Sequence, residues 1–142
     1  MPTQVVDIAS EIRGDPSALT EDDQILLAIC KVQLRNVIGQ SGMRVIVVRD
    51  QYQQLGDPSP ELLAALKQLG DARPNSTVDR RQKPPAGTLL LDNGPIKLPA
   101  PDRALVAGCC SSPGGPMREY EYEVKCEAGV WTVTSERVTL MV

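Results

Sequence analysis

The chain has 142 residues, a length that fits a single domain over 1–142. It contains no histidine, the commonest general base and metal ligand, so Ser-His-Asp and Cys-His catalysis are excluded. The net charge is −3 and no large basic block is present, so nucleic-acid binding is not predicted. The densest basic cluster, 79–83, is interpreted as a solvated loop.

Membrane, metal and cofactor binding are not predicted either. No apolar run approaches the ~20 residues that a membrane-spanning helix needs, and the start of the chain lacks the basic and apolar regions of a signal peptide. As given, the sequence predicts a cytoplasmic protein, and it does not show whether a signal peptide was removed. The four cysteines include no Cys-x-x-Cys spacing, so neither a metal site nor a cofactor is expected.

Three helices are predicted in the first half of the chain. A short one over 3–13 ends at Gly14-Asp15-Pro16. A second over 20–38 begins at Thr20, whose hydroxyl can cap it, and its wide apolar arc indicates contacts on more than one side. A third begins at Ser59-Pro60, which is a typical helix start, and ends at Gly70.

Strands follow, and most of them lie in the second half. The apolar run 44–49 predicts a short buried strand, whereas 50–57 and 71–87 are predicted to be polar loops, the second with a short strand at Thr77-Val78. The segments 88–92 and 96–98 form either one bulged strand or a hairpin, because Asn93-Gly94 favours a tight turn. Another strand is predicted over 103–110.

The last quarter of the chain, 119–142, is predicted to be a β-hairpin. Tyr120, Tyr122, Val124 and Cys126 alternate with charged residues, which gives the strand one apolar face, and 127–129 is the turn. The expected fold class is therefore α+β. N-terminal helices pack on a curved antiparallel sheet, made of a C-terminal meander of about four strands plus one short strand.

The C-terminal pattern also resembles known proteins. The segments Asp102-Arg-Ala-Leu-Val-Ala-Gly, Tyr122-Glu-Val-Lys and Gly129-Val-Trp-Thr-Val-Thr are similar to the end of a group of uncharacterised bacterial proteins, and the likeness extends weakly to Arg49-Asp50 and to the helix over 60–69. The group has no settled activity, so this resemblance implies no chemistry. In architecture, the helices followed by a meander ending in Gly-x-Trp-x-Val are similar to nuclear transport factor 2-like (cystatin-like) folds, which host both enzymes and binding modules.

The adjacent thiols Cys109 and Cys110 are one candidate site. They form either a redox or metal-binding pair, or one buried and one exposed thiol, since adjacent strand residues point to opposite faces. The second interpretation is favoured. A disulfide to Cys126 is not expected, because the predicted hairpin register separates it from Cys109 by roughly 20 Å, whereas a disulfide needs Cα atoms within about 7 Å.

The aromatic residues give two further candidates. Tyr120, Tyr122 and Trp131 line a ligand or partner pocket or, as is favoured, replace the missing phenylalanine in the core. Asp50 and Tyr52 are a weak catalytic pair, because a buried aspartate with a tyrosine donor serves as base and acid in isomerase sites of similar folds.

The favoured function is a non-catalytic binding domain for a protein partner or a small apolar ligand. The alternatives are a small isomerase or dehydratase that uses Asp50 with a tyrosine, and a subunit of a larger phage or secretion assembly. A homodimer or partner contact is also predicted through Val138, Leu140 and Val142. Unless a bulge near Ser135-Glu136 changes the alternation, these side chains emerge together on the face without helices.

Overall fold

The computed structural model describes residues 18–35, 42–79, 81–112 and 115–141. The predicted helix over 3–13, the part of the second helix beyond Arg35, and Val142 lie outside the described residues. Within these ranges the chain forms two α-helices and seven strands, which confirms an α+β fold. They are α1 (Glu21–Arg35), β1 (Met43–Arg49), β2 (Leu55–Gly56), α2 (Pro60–Lys67), β3 (Asp71–Pro74), β4 (Leu89–Ala100), β5 (Arg103–Ser111), β6 (Met117–Glu127) and β7 (Val130–Met141).

All seven strands belong to one sheet with the order β2-β1-β4-β5-β6-β7, and β3 also pairs with β1. Each neighbouring pair from β4 to β7 is antiparallel, as the predicted meander requires. The strand β1 is the predicted short buried strand, but it runs parallel to both β3 and β4. The sheet is therefore mostly antiparallel rather than entirely so, which corrects the expected architecture.

The parallel pairing of β1 and β3 is made possible by α2, which lies between them in the chain, because parallel strands need a crossover connection. The helix starts as predicted: the Ser59 hydroxyl accepts a hydrogen bond from the Leu62 amide at 3.1 Å, and Pro60 follows the cap. Both β2 and β3 lie in segments predicted to be loops. The predicted strand at Thr77-Val78 is wrong, since Asn75–Thr77 is a turn of 3-10 helix.

The strand β4 is one long bulged strand, so the hairpin alternative is wrong. Its register with β5 passes from Asn93 opposite Gly108 to Ile96 opposite Val106. Two residues of β4, Gly94 and Pro95, therefore face a single residue of β5, and the side-chain alternation changes phase there. The bulge keeps Ile96 on the face that carries the helices.

Two groups of buried side chains lie on this helix-bearing face, and α1 contributes to both. The first joins α1 to β5, β6 and β7: Ile25, Ile29, Ala104, Val106, Tyr120, Tyr122, Val124 and Trp131. The second joins α1 to α2, β1, β3 and β4: Leu26, Cys30, Ile46, Leu62, Leu66, Ala72, Leu89 and Leu91. Ile96 and Cys110 pack against both groups. The wide apolar arc of α1 is used as predicted, with one stripe in each group.

The β6–β7 hairpin has the predicted turn, with Ala128 at φ 52° and Gly129 at φ 79°. Two positive φ values in succession match the twist of a two-residue hairpin. Two bulges in β7, at Thr134 and Thr139, then shift its register against β6. They place Val138 opposite Tyr120 and Leu140 opposite Glu119, on different faces of the sheet. The apolar patch expected on one open face is therefore not formed.

Candidate functional site

A groove of about 700 Å³ lies between the start of α1 and the turn that joins β1 to β2. It contains both members of the predicted catalytic pair, Asp50 and Tyr52. Its remaining lining residues are Thr20, Asp22, Asp23, Leu26, Val48, Arg49, Gln51, Gln54, Leu55, Gly56, Asp57, Ser59, Pro95 and Ile96. Residues distant in the sequence thus meet at this edge of the sheet.

The β1–β2 turn is built around the Asp50 carboxylate. Its Oδ1 accepts hydrogen bonds from the amides of Tyr52 at 2.8 Å and Gln54 at 3.0 Å, which is how aspartate commonly stabilises a tight turn. Gln53 has a positive φ of 65° and completes the reversal of the chain. The turn holds Tyr52 and Leu55 outward, and their side chains are 74% and 54% exposed.

The opposite wall is held by a contact between the two helices. The Thr20 hydroxyl accepts a hydrogen bond from the Asp23 amide at 3.2 Å, as a helix cap does. The Asp23 carboxylate is only 8% exposed and accepts a hydrogen bond from the Ser59 hydroxyl at 2.8 Å. Because Ser59 also caps α2, this contact ties the first turns of α1 and α2 together. Both caps are predicted by the sequence, but this link between them is not.

The groove carries a net negative charge. Four carboxylates line it, those of Asp22, Asp23, Asp50 and Asp57, and they form no ion pair within the described chain. Among the described residues that line the groove, the one cation is Arg49, which forms two hydrogen bonds of 2.8 and 2.7 Å with Asp92 and is thereby neutralised. A positively charged group entering the groove would therefore be attracted.

The geometry around Asp50 does not suit general-base catalysis. A carboxylate that acts as a base near neutral pH is normally desolvated, which raises its pKa. Asp50 is exposed, and its Oδ1 is occupied by two backbone amides. Tyr52 is mostly surrounded by solvent as well. The pair is brought to one groove, but without the burial that the isomerase hypothesis needs.

The other three aromatic residues lie in the core and not at a groove. Tyr120, Tyr122 and Trp131 are 6%, 0% and 7% exposed, and the two tyrosine rings stack with centroids 5.5 Å apart. Burial raises the pKa of Tyr122; the nearby Cys110 thiol adds to this effect, and the Gln33 amide opposes it. Although Gln33 is close, the Tyr122 hydroxyl forms no well-aligned hydrogen bond with a described residue.

A buried polar pair between α1 and β4 was not predicted. The side-chain amides of Gln33 and Asn93 exchange two hydrogen bonds of 2.7 and 2.9 Å, and Asn93 also donates to the Cys30 sulfur at 3.7 Å. Both amides are 1% exposed. One sequence signal was available: Gln33 lies one helical turn after the buried Ile29, where an apolar residue would be expected.

The two adjacent thiols point to opposite faces of β5. Cys110 lies under the helices, and burial raises its pKa to about 12. Cys109 lies on the other face, where burial and the carboxylates of Asp92 and Glu119 raise its pKa against the opposing effect of Arg49. Both thiols are thus protonated near pH 7 and are poor nucleophiles.

No disulfide links the four cysteines, all of which belong to the described residues. In the described ranges, no three side chains of the Cys, Asp or Glu type are placed to hold a metal ion. None of the helices in those ranges is long and apolar enough to cross a membrane.

Comparison with known proteins yields no match to a protein-family model, to a curated protein or to a solved structure.

Proposed function

We propose that this chain is a non-catalytic protein-interaction domain that binds a segment of a partner in the groove between α1 and the β1–β2 turn. The observation that carries this proposal is the position of Tyr52. The chain has one tryptophan, three tyrosines and no phenylalanine. Three of these four aromatics are buried, whereas Tyr52 is held outward on the rim by the turn around Asp50. Exposed tyrosine is enriched at protein interfaces and often supplies much of the binding energy.

The lining of the groove defines the chemistry of the partner. Tyr52 and Leu55 offer exposed apolar surface, and Leu26, Val48 and Ile96 are apolar lining residues that are more buried. Four carboxylates surround this surface, so a partner segment that carries lysine or arginine fits best. A cation beside the Tyr52 ring gains a further attraction to the ring face. The same carboxylates make the groove a poor site for the small apolar ligand that was the other predicted occupant.

We also propose a structural relationship to a known group of folds. The meander of β4 to β7 under α1 supports a relationship to the nuclear transport factor 2-like folds. The parallel unit formed by β1, α2 and β3 is not part of this meander. The proposed relationship therefore rests on β4 to β7 and α1.

Binding to peptides of opposite charge tests the function. The probe is a fluorescein-labelled lysine-rich peptide, and a glutamate-rich peptide of equal length is the control. We expect fluorescence anisotropy to show binding of the lysine-rich peptide alone, weakened by added salt because the interaction is between exposed charges. Tyr52→Ala should weaken it by about fivefold or more, the effect of losing more than 1 kcal/mol at an interface. Asp22→Asn should weaken it less.

Leu69→Ala provides the matched control, because Leu69 is 49% exposed but does not line the groove. It should bind as the wild type does. Urea unfolding of Tyr52→Ala should shift the free energy of unfolding by no more than about 0.5 kcal/mol, as is usual for a surface residue. Equal binding by wild type and Tyr52→Ala, or equal binding of the two peptides, would contradict the proposal.

A further inference from the structure

The strand β7 forms the edge of the sheet opposite to β2 and the groove. One of its sides is hydrogen-bonded to β6, and no strand of the described residues pairs with the other. Three apolar side chains near its end are exposed: Val138 at 46%, Leu140 at 44% and Met141 at 62%. A long edge strand with exposed apolar side chains is a template for pairing with another strand.

These three side chains are distributed over both faces of the sheet. Val138 lies opposite the buried Tyr120, and Leu140 lies opposite Glu119, because the bulge at Thr139 shifts the register between them. A strand that is apolar on both faces is typical of the interior of a sheet covered on both sides. Residues 138–141 instead lie at an edge with which no described strand pairs, so their sequence fits an environment more buried than the one that the described residues provide.

We infer that the 138–141 end of β7 is a strand-addition site, at which an extended apolar segment of a partner protein pairs with the backbone edge that no described strand occupies. In this mode of recognition, backbone hydrogen bonds provide affinity, and alternate side chains provide specificity. Side chains of the added strand would cover Val138 and Met141 on one face and Leu140 on the other. The site is separate from the groove and does not depend on the function proposed for it.

The small size of the patch favours a single strand over a second folded copy of this chain. A standard interface between two folded proteins uses roughly 20–30 residues from each partner. Three partly exposed aliphatic side chains fall far short of that, whereas they match the contacts of one added strand. The bulge at Thr139 does not detach this end of β7 from the sheet, since β6 remains paired with β7 on both sides of it.

The neighbouring residues limit the addition to a short segment. The bulge at Thr134 interrupts the edge, and the charged residues Glu136 and Arg137 follow it. Bulges and edge charges are the usual means of preventing continuous edge-to-edge association. We therefore expect one bound strand for each chain and no growth into fibres.

Backbone pairing can be tested with a capped octapeptide of alternating valine and threonine between terminal lysines. The control is the same peptide with alternate backbone amides methylated, which removes donors without changing the side chains. With the full ¹⁵N-labelled chain, we expect the first peptide to slow hydrogen exchange at β7 amides within 138–141. The methylated peptide should have no such effect. Equal protection of the β7 amides by both peptides, or no added protection in β7, would overturn the inference.

Two variants locate the site on the strand. Leu140→Lys should weaken peptide binding by about tenfold, because it places a charge in the contact. Val130→Lys is the matched control: Val130 is 60% exposed on the same strand, on the far side of the Thr134 bulge, and this variant should bind as the wild type does. Equal weakening by both variants would overturn the inference. Sedimentation that shows a dimer lost in Leu140→Lys would assign the edge to a second copy and would also overturn it.

Discussion

The antiparallel part of the sheet, β4 to β7, and the parallel part around β1 and β3 use their large side chains differently. The antiparallel part packs three aromatic residues against α1. The parallel part has an aliphatic core beneath α1 and α2, and its single aromatic residue, Tyr52, points into solvent. The comparison separates two roles: the meander concentrates the aromatic packing that stabilises the fold, and the parallel part forms the groove proposed for binding.

The largest expected effects come from truncating one core residue in each part. Trp131→Ala should lower the free energy of unfolding by about 3–5 kcal/mol, and Leu66→Ala by about 2–5 kcal/mol, because each leaves a cavity in a packed core. Since α1, Ile96 and Cys110 contribute to both groups of buried residues, both variants should still unfold in one transition. Urea unfolding followed by tryptophan fluorescence and by circular dichroism measures this in Leu66→Ala.

Unfolding of Trp131→Ala is followed by circular dichroism alone, because this variant lacks the only tryptophan of the chain. Two separate transitions in Leu66→Ala would show that the two parts fold independently. A change below about 1 kcal/mol in Trp131→Ala would contradict its place in the core, since losses of 3–5 kcal/mol are typical there.

A smaller effect is expected inside the antiparallel part, at Gly108 of β5. A Cβ atom at this position would lie 2.5 Å from the Asn93 Oδ1 and 2.7 Å from a ring carbon of Tyr122. Gly108→Ala should therefore cost about 1–3 kcal/mol, the usual cost of overpacking a core. The neighbouring Ala107→Ser is the control, because Ala107 is exposed on the other face of β5. Equal stability of Gly108→Ala and wild type in urea would contradict the described packing.

The smallest effect is a dependence of stability on alkaline pH. Burial raises the pKa of Cys30 from 9.0 to about 12, with the Cys110 thiol adding to the shift and Asn93 opposing it. Between these two values the unfolded chain loses a proton that the folded chain retains, so unfolding becomes more favourable as the pH rises. The contribution is complete below about pH 9 and declines by about 1.4 kcal/mol per pH unit above it.

Chemical unfolding at pH 8, 9 and 10 measures this slope. Cys110 and Tyr122 add to the slope with the same sign, since burial raises both of their pKa values. Cys30→Ala should therefore reduce the slope without removing it. An unchanged slope in Cys30→Ala would show that burial does not raise the pKa of the Cys30 thiol in the folded chain.

Much of the fold follows from local sequence signals. The cap at Ser59, the apolar run of β1, and the alternation and turn of the β6–β7 hairpin each predicted an element that the structure contains. The opposite orientation of Cys109 and Cys110 also followed from strand geometry alone. These features depend on residues close together in the chain, so their physical causes can be identified in the sequence.

The candidate groove was predicted only in part. Asp50 and Tyr52 were identified as a pair near the end of β1, but the sequence placed no second wall opposite them. That wall comes from the start of α1, fixed by the hydrogen bond between Asp23 and Ser59, which are 36 residues apart. Neither residue type indicates its partner, because a serine at a helix cap is explained by capping and an aspartate in the first turn by the helix dipole.

The sequence by itself determined the antiparallel meander, the helix that covers it and the burial of its aromatic residues, because side-chain periodicity and turn residues act locally. Tertiary structure alone decided the short strands β2 and β3, the bulge in β4 and the Gln33–Asn93 pair. The strands β2 and β3 have almost no apolar alternation of their own, and backbone hydrogen bonds to β1 make them strands. Gln33 and Asn93 can be buried because each satisfies the other across 60 residues of sequence.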